Sequence, residues 1–214
     1  MSKTRKVIGM GETIMDIIFR NGQPRAAVHG GSSFNSIVSV GRAGVPCVFV
    51  GDTGADIVGR QTLDFMRANH VGTDYCPMRP DMKSAVSLAY LDDNGDASYV
   101  FYKQKPEAPK EWTLPQIAAD DVLLYGSYFA SCQGMRPLVE DMLSHATAGG
   151  AIIYCDINFR SSHSHELEAL RPTIEDNCRR SSIVRGSADD FEVLFGERDA
   201  ATIYERHIRR LCPV

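Results

Sequence analysis

Short hydrophobic runs alternate with stretches of helical spacing along most of this chain. Two of the runs, at 122–125 (VLLY) and 152–155 (IIYC), contain no charged residue, and each is followed by a helical stretch. A parallel strand that is buried on both faces is hydrophobic throughout, and a helix usually carries the chain back to the next parallel strand. The alternation therefore predicts an α/β fold, with a mostly parallel sheet covered by helices on both faces.

The predicted elements cover both halves of the chain. The strands are expected at 6–10, 14–19, 47–51, 122–125, 152–155 and 183–185, and the helices at 33–43, 56–69, 135–148, 166–179, 188–195 and 200–211.

One segment departs from this alternation. The β-rich runs at 85–91 and 97–102 flank the sequence Asp-Asp-Asn-Gly-Asp at 92–96. Asn-Gly between two such runs is typical of a tight β-hairpin turn. Because no helix separates these strands, we expect the hairpin to lie outside the parallel sheet, with the strand at 14–19 pairing against it.

Composition excludes several classes of function. The net charge of −4 and the lack of a basic stripe argue against a nucleic-acid partner. No stretch approaches 18 apolar residues, so no membrane span is expected. The six cysteines form no Cys-x-x-Cys motif, which predicts buried, reduced thiols in a cytoplasmic protein.

Common nucleotide and metal motifs are missing from the sequence. There is no Gly-Lys dipeptide and hence no Walker A loop. Gly9-Met10-Gly11 opens like a dinucleotide fingerprint, but Ile14 occupies the third glycine position, which disfavours an NAD-dependent oxidoreductase. His163 and His165 have no evident third partner for a metal ion, so we expect a polar loop there.

Gly30 and Gly31 precede a predicted helix in the sequence Gly-Gly-Ser-Ser-Phe-Asn. Glycine lets the backbone approach a ligand closely, and a helix start offers unpaired N–H donors with partial positive charge. Asn35 can donate and accept hydrogen bonds, whereas an ionised Asp16 only accepts them. The group suits a polyhydroxylated ligand such as a sugar. A tight turn that caps the helix is the alternative.

Three motifs then occur in a fixed order. They are the di-glycine motif at 30–35, the sequence Gly-Asp-Thr-Gly-Ala-Asp at 51–56 with Gly59, and Asp-Ile-Asn-Phe-Arg at 156–160, with the hairpin between the second and third. In this order the chain resembles the ribokinase-like (PfkB) family of sugar kinases from residue 7 to about residue 195. The Asp-x-Asn-x-Arg motif and Gly126-Ser127 are most similar to fructokinases and 2-keto-3-deoxygluconate kinases.

The resemblance implies a three-layer α/β sandwich with a small antiparallel β lid built from about 14–29 and 84–104. It also implies transfer of the γ-phosphoryl group of ATP, with Mg²⁺, to a sugar hydroxyl, in a homodimer formed through the lid. The sugar-binding residues it implies are Asp16, Gly30, Gly31, Ser32, Asn35, Phe101, Lys103 and Arg160. The residues it implies for ATP and phosphate are Asn158, Arg160, Ser187 and Asp190. Lys103 would suit an acidic sugar, or it is a solvated charge at a strand end.

Two departures from the family pattern limit these expectations. Ser187-Ala188-Asp189-Asp190 stands where the family has Asn-x-x-Glu, so Asp190 would hold a metal only through water, or would simply be an acidic residue in the first turn of a helix. No Gly-Ala-Gly-Asp motif is present, so no catalytic base can be named. We therefore expect 1–214 to be a single kinase domain, incomplete at its C-terminus and inactive by itself.

Several alternatives stay open at this point. A sugar-binding or regulatory protein without catalysis is the second interpretation, because the catalytic base is missing. Fructose, 2-keto-3-deoxygluconate, ribose, a nucleoside and a sugar phosphate all remain candidate substrates, since lid side chains set the specificity.

Overall fold

Six parallel strands form the central sheet of this protein, whose computed structural model describes residues 5–92, 95 and 97–212. The strands are β1 (Val7–Met10), β2 (Ile14–Arg20), β3 (Gln23–Gly30), β4 (Cys47–Val50), β5 (Thr53–Gly54), β6 (Val71–Tyr75), β7 (Met78–Arg79), β8 (Val86–Leu91), β9 (Ala97–Tyr102), β10 (Val122–Gly126), β11 (Ile152–Asp156) and β12 (Ile183–Arg185). The helices are α1 (Ser32–Arg42), α2 (Ile57–Ala68), α3 (Ser127–Ser131), α4 (Arg136–Gly149), α5 (Leu167–Arg179), α6 (Ala188–Phe195) and α7 (Ala200–Ile203).

The central sheet has the order β12-β11-β10-β1-β4-β6, and every neighbouring pair is parallel. From β1 the chain moves through α1 and α2 toward one edge, and from β10 it moves through α4 and α5 toward the other. Right-handed crossovers in opposite directions place these helix pairs on opposite faces. The predicted α/β class is confirmed, and the strand order changes direction between β1 and β10.

Each face of the sheet has its own apolar core. Phe34 and Ile37 of α1 pack with Phe49 of β4 and Met66 of α2 on one side. On the other side, Leu123 and Tyr125 of β10 pack with residues of α4 and α5, among them Met142, Leu143 and Ile174. The two cores hold the ends of β1 and β10 in fixed positions.

The second sheet has four strands in the order β3-β2-β8-β9, and we call it the small sheet. The pairs β2/β3 and β8/β9 are antiparallel hairpins, as predicted for 85–102, whereas β2 and β8 run parallel. β2 and β8 run in the same direction, so these two middle strands of the small sheet pair in parallel. Leu91 pairs with Ala97 across the hairpin, whose turn residues Asp93, Asn94 and Asp96 lie outside the described residues.

Some local predictions differ from the structure. The hydrophobic pattern does not predict four of the strands. β5 and β7 have only two residues each. β3 starts with Gln23-Pro24-Arg25 and β6 contains Gly72 and Asp74, and pairing with a neighbouring strand extends them. The last helix is shorter than the predicted 200–211. α7 ends at Ile203, and a π-helical turn follows in which the Arg209 N–H donates to the Tyr204 carbonyl at 2.8 Å.

All six cysteines are free and buried, as predicted. Within the described part of the chain, no helix has the length and apolar composition needed to cross a membrane.

Candidate functional site

A cleft of about 500 Å³ opens between the carboxyl ends of the central strands and the small sheet. It lies where the strand order changes direction, between β1 and β10, and ligands of open α/β sheets bind at such a position. Eight of the predicted site residues line it: Asp16, Gly31, Ser32, Asn35, Phe101, Lys103, Asn158 and Arg160. The structure therefore brings together residues that are up to 144 positions apart, from Asp16 to Arg160.

The start of α1 forms one wall of the cleft. Gly31 has φ 127°, and a Cβ there would lie 2.4 Å from the Glu12 carbonyl oxygen, so no other residue fits without displacing the backbone. The helix has no side-chain cap and no acidic residue in its first turn. Its first N–H groups and the side chains of Ser32 and Asn35 are thus available to a ligand, with the positive end of the helix behind them.

Asp16 enters the same wall from β2. One carboxylate oxygen, Oδ1, accepts a short hydrogen bond from the Ser87 hydroxyl on β8. The other, Oδ2, lies 2.6 Å from the position that a Cβ of Gly30 would take. The lack of a side chain at Gly30 therefore makes room for the carboxylate, although Gly30 itself does not line the cleft.

The loop after β11 lines another part of the cleft. Asn158 has φ 36°, a left-handed conformation that Asn tolerates better than most residues. Arg160 follows it, and its guanidinium makes no ion pair with any described residue, although it lines the cleft. A guanidinium with free donors can bind two oxygens of a phosphate group at once.

Sequence reasoning missed the other eight lining residues, among them Glu12, Ser127, Tyr128 and His163. Ser127 directly follows β10, and Glu12 lies two residues after the end of β1. This position at the carboxyl end of a parallel strand could have identified them. His163 was predicted to lie in a polar loop. Its ring instead stacks on Tyr128, with the ring centroids 3.9 Å apart.

Burial sets the protonation states around Tyr128 and His163. Burial and, to a lesser degree, the nearby Lys103 ammonium lower the pKa of His163, so its ring is neutral at neutral pH. Burial and the Glu166 carboxylate raise the pKa of Tyr128 to about 12, and its hydroxyl donates to Oε2 of Glu166 at 3.1 Å. This part of the cleft thus presents one uncharged ring surface.

Ser187 and Asp190 lie away from the cleft, at the start of α6. The Ser187 hydroxyl accepts from the Asp190 N–H at 3.1 Å, and Asp190 Oδ2 accepts from the Ser187 N–H at 2.7 Å. This capping box satisfies the helix start, and Asp190 is buried. Their predicted contact with ATP or a metal stays a prediction. Across residues 5–92, 95 and 97–212, no three His, Cys, Asp or Glu side chains converge as metal ligands do.

Known proteins resemble this chain in sequence and in fold. A family model described as pfkB family carbohydrate kinase matches residues 5–208. The fructokinase of Rhizobium leguminosarum bv. trifolii is 26% identical over 203 residues, which are 91% of this chain and 61% of that protein. The aminoimidazole riboside kinase of Salmonella typhimurium is 29% identical over 202 residues, 92% of this chain and 62% of that protein. The chain thus spans about three fifths of the length of these curated relatives.

A solved structure shares the fold. The crystal structure of fructokinase from Vibrio cholerae O395, in a form with fructose, ADP and calcium ion bound, superposes with a TM-score of 0.83. The match covers 94% of this chain and 66% of that one, at 20% sequence identity. At this identity the likeness shows a common architecture, the central sheet and the small sheet included.

Proposed function

Because the chain belongs to the pfkB family of carbohydrate kinases, we propose that it forms the sugar- and phosphate-binding part of an ATP-dependent sugar kinase. Fructose or a related ketose is the proposed acceptor, since one of the relatives reported above is named a fructokinase and the matched solved structure contains fructose. The kinase activity of the full-length protein is part of this proposal, because the chain spans about three fifths of the length of its relatives.

One observation carries the proposal: two complementary groups of side chains line the same cleft. Asp16, Ser32 and Asn35 offer the acceptors and donors that sugar hydroxyls need, and Asn158 and Arg160 offer donors for phosphate oxygens. Phosphoryl transfer depends mainly on alignment and charge neutralisation. A cleft that aligns a hydroxyl with a phosphate meets both needs.

Each group has a proposed task. Asp16 accepts hydrogen bonds from sugar hydroxyls while Ser87 fixes its orientation. ATP, when bound, supplies the phosphoryl group. Arg160 and Asn158 hold the oxygens of that group, and the small sheet acts as a lid over the sugar and limits access of water, which would compete as the acceptor.

The described residues do not supply a base for the acceptor hydroxyl. Glu12 and Asp16 are the carboxylates among the described residues that line the cleft. Glu12 pairs with Lys103, and Asp16, oriented by Ser87, is assigned above to orient the sugar and not to take its proton. The capping box engages Oδ2 of Asp190 with the Ser187 N–H and hydroxyl, and its predicted contact with a metal through water stays a prediction. We therefore propose that this chain by itself binds sugar and does not phosphorylate it.

The lack of a base among the described residues of the cleft supports a second candidate function. A chain that aligns a sugar but has no free base in its cleft would serve as a sugar-binding or regulatory protein of the same fold. Phosphorylation assays on a protein that carries this chain separate the two candidates, because only the kinase converts ATP to ADP in step with sugar phosphate.

Sugar binding is the direct test for this chain. Isothermal titration calorimetry with fructose, ribose and 2-keto-3-deoxygluconate should show millimolar binding of at least one sugar, reduced at least about tenfold in Asp16→Ala, which corresponds to about 1.4 kcal/mol. Asp141→Ala, on the surface of α4, is the control. No binding of any sugar, or measurable phosphorylation by the isolated chain, would contradict the proposal.

The small sheet is also the proposed dimer contact of a cytoplasmic protein. On its face away from the cleft, Tyr90, Val100 and Tyr102 are all exposed by more than 40%. Exposed apolar patches of this kind mark interaction surfaces. Light scattering should detect a dimer, and the double variant Val100→Ser with Tyr102→Ser should weaken it. A wild type that is monomeric at all concentrations would contradict the proposed dimer.

A further inference from the structure

Glu12 and Lys103 form an ion pair in the wall of the cleft. Lys103 Nζ lies 2.9 Å from Glu12 Oε2, and the two side chains are only 17% and 27% exposed. Glu12 follows β1 in the central domain, and Lys103 follows β9 in the small sheet. The pair thus joins the two parts of the site while facing the ligand space.

Aromatic rings fix the ammonium of Lys103 in place. It lies 5.4 Å from the ring centre of Phe101 and 5.7 Å from that of Tyr128. A cation held between two rings and a carboxylate has little freedom to turn toward another anion. A ligand carboxylate would have to displace Glu12 from Lys103, leaving Glu12 without its partner in a partly buried position.

The charges at the sugar end of the cleft are unbalanced. Glu12 and Asp16 each carry a negative charge, Lys103 carries the one positive charge, and His163 is neutral because burial lowers its pKa. Glu166, bound to Tyr128, adds a further carboxylate behind the rings. Arg160, which lines the same cleft, is assigned by the proposed function to the phosphate oxygens and is therefore not counted with this group. The sugar end is therefore net negative.

We propose that the Glu12–Lys103 pair makes this cleft select a neutral sugar and reject one that carries a carboxylate. The inference rests on the proposed function and names the substrate class of the same site. Glu12 is the specificity-determining residue, because it cancels the charge of Lys103 and repels a ligand anion. This reverses the expectation from sequence that Lys103 would suit an acidic sugar.

Calorimetric titration of the chain with fructose and with 2-keto-3-deoxygluconate tests the inference. The wild type should bind fructose at least about tenfold more tightly, about 1.4 kcal/mol in free energy. Glu12→Gln keeps the size of the side chain but frees the charge of Lys103. The ratio of acidic-sugar to fructose affinity should then rise at least about tenfold.

A double variant shows that the gain comes from Lys103. Glu12→Gln with Lys103→Met should lose the rise in the ratio, because no cation is left to bind the carboxylate. Glu205→Gln, which breaks an exposed ion pair with Arg209, should leave the ratio unchanged. Circular dichroism of each variant checks that the fold is retained.

The outcomes separate the inference from the proposed function. Binding of fructose with an unchanged ratio in Glu12→Gln would overturn the inference alone, as would a wild type that prefers the acidic sugar. If neither sugar binds to the wild type or to any variant, the proposed function fails and the inference fails with it.

Discussion

The carboxylate of Asp16 lies directly against Gly30, where a Cβ would come within 2.6 Å of Oδ2. Because the clashing atom is the end of a side chain, Gly30→Ala should be accommodated by rotation of Asp16. We expect sugar binding to fall at least about tenfold in titration calorimetry. The free energy of unfolding should change by less than about 1 kcal/mol.

The control for Gly30→Ala is Val28→Ala, an exposed position on the same strand, which should leave sugar binding unchanged. Equal binding by Gly30→Ala and the wild type would show that the orientation of Asp16 does not matter to the ligand.

Gly31→Ala should damage the fold rather than only the ligand contacts. The residue has φ 127°, and its Cβ would lie 2.4 Å from a backbone oxygen that cannot rotate away. Left-handed strain alone costs about 1–3 kcal/mol, and the clash adds to it. Gly22 also has a positive φ, but no atom lies within 4 Å of the position its Cβ would take, so Gly22→Ala measures the cost of the backbone conformation without a clash. Denaturant unfolding should show the larger loss for Gly31→Ala, and equal losses would refute the steric argument.

Arg160 should contribute to phosphate binding through its charge and its planar shape. Hydrogen bonds to charged groups contribute about 1.5–3 kcal/mol, so Arg160→Met should weaken ATP binding by about tenfold or more. Arg160→Lys should recover only part of the loss, because an ammonium cannot bind two oxygens in the bidentate geometry of a guanidinium. Full recovery by lysine in a calorimetric titration would indicate a simple point charge instead.

Ser187 should act on stability. Removal of an N-cap hydroxyl costs about 1 kcal/mol, so Ser187→Ala should lower the free energy of unfolding by about that amount in urea. Ser187→Asn, which can still cap α6, should recover most of the loss. Sugar affinity should not change in either variant, since neither Ser187 nor Asp190 lines the cleft.

Stability should fall as the pH decreases below about 6.5. Burial lowers the pKa of His29, whose ring packs 4.7 Å from that of Phe65. An ordinary histidine titrates near pH 6.5, so between that value and the lower folded pKa the unfolded chain binds more protons. The contribution of His29 to the free energy of unfolding is therefore complete above about pH 6.5, and it is lost as the pH falls toward the pKa of His29 in the folded chain.

Urea unfolding between pH 5 and pH 8 checks this, with the variants His29→Gln and His165→Gln. His29→Gln should flatten the dependence on pH, whereas His165→Gln, whose side chain is 71% exposed, should not. An unchanged slope in His29→Gln would assign the acid sensitivity to other groups.

Periodicity and composition predicted five of the six strands of the central sheet, because these strands are short hydrophobic runs and the helices between them have one apolar face. The run at 152–155 and the helix around Leu143 follow directly from these constraints. β3 could not be predicted in this way, since six of its eight residues are exposed and its form depends on pairing with β2.

In the site, too, local sequence patterns predicted some residues, whereas others are brought in by long-range contacts. Asp16, Asn35 and Arg160 lie in motifs with a recognisable order, and the structure places them in one cleft. The Glu12–Lys103 pair joins residues 91 positions apart, and no local pattern indicates it. Ser187 and Asp190 show the reverse case, in which a motif position is engaged in capping a helix.

The reactivity of the buried cysteines reports local unfolding of this protein. Burial raises the pKa of the Cys47, Cys132 and Cys155 thiols, so they stay protonated and shielded in the folded chain. Since the thiolate is the reactive form, alkylating reagents should modify these positions only when the surrounding layer separates. The order in which the six thiols are labelled would therefore rank the local stability of the two faces of the sheet, without any introduced probe.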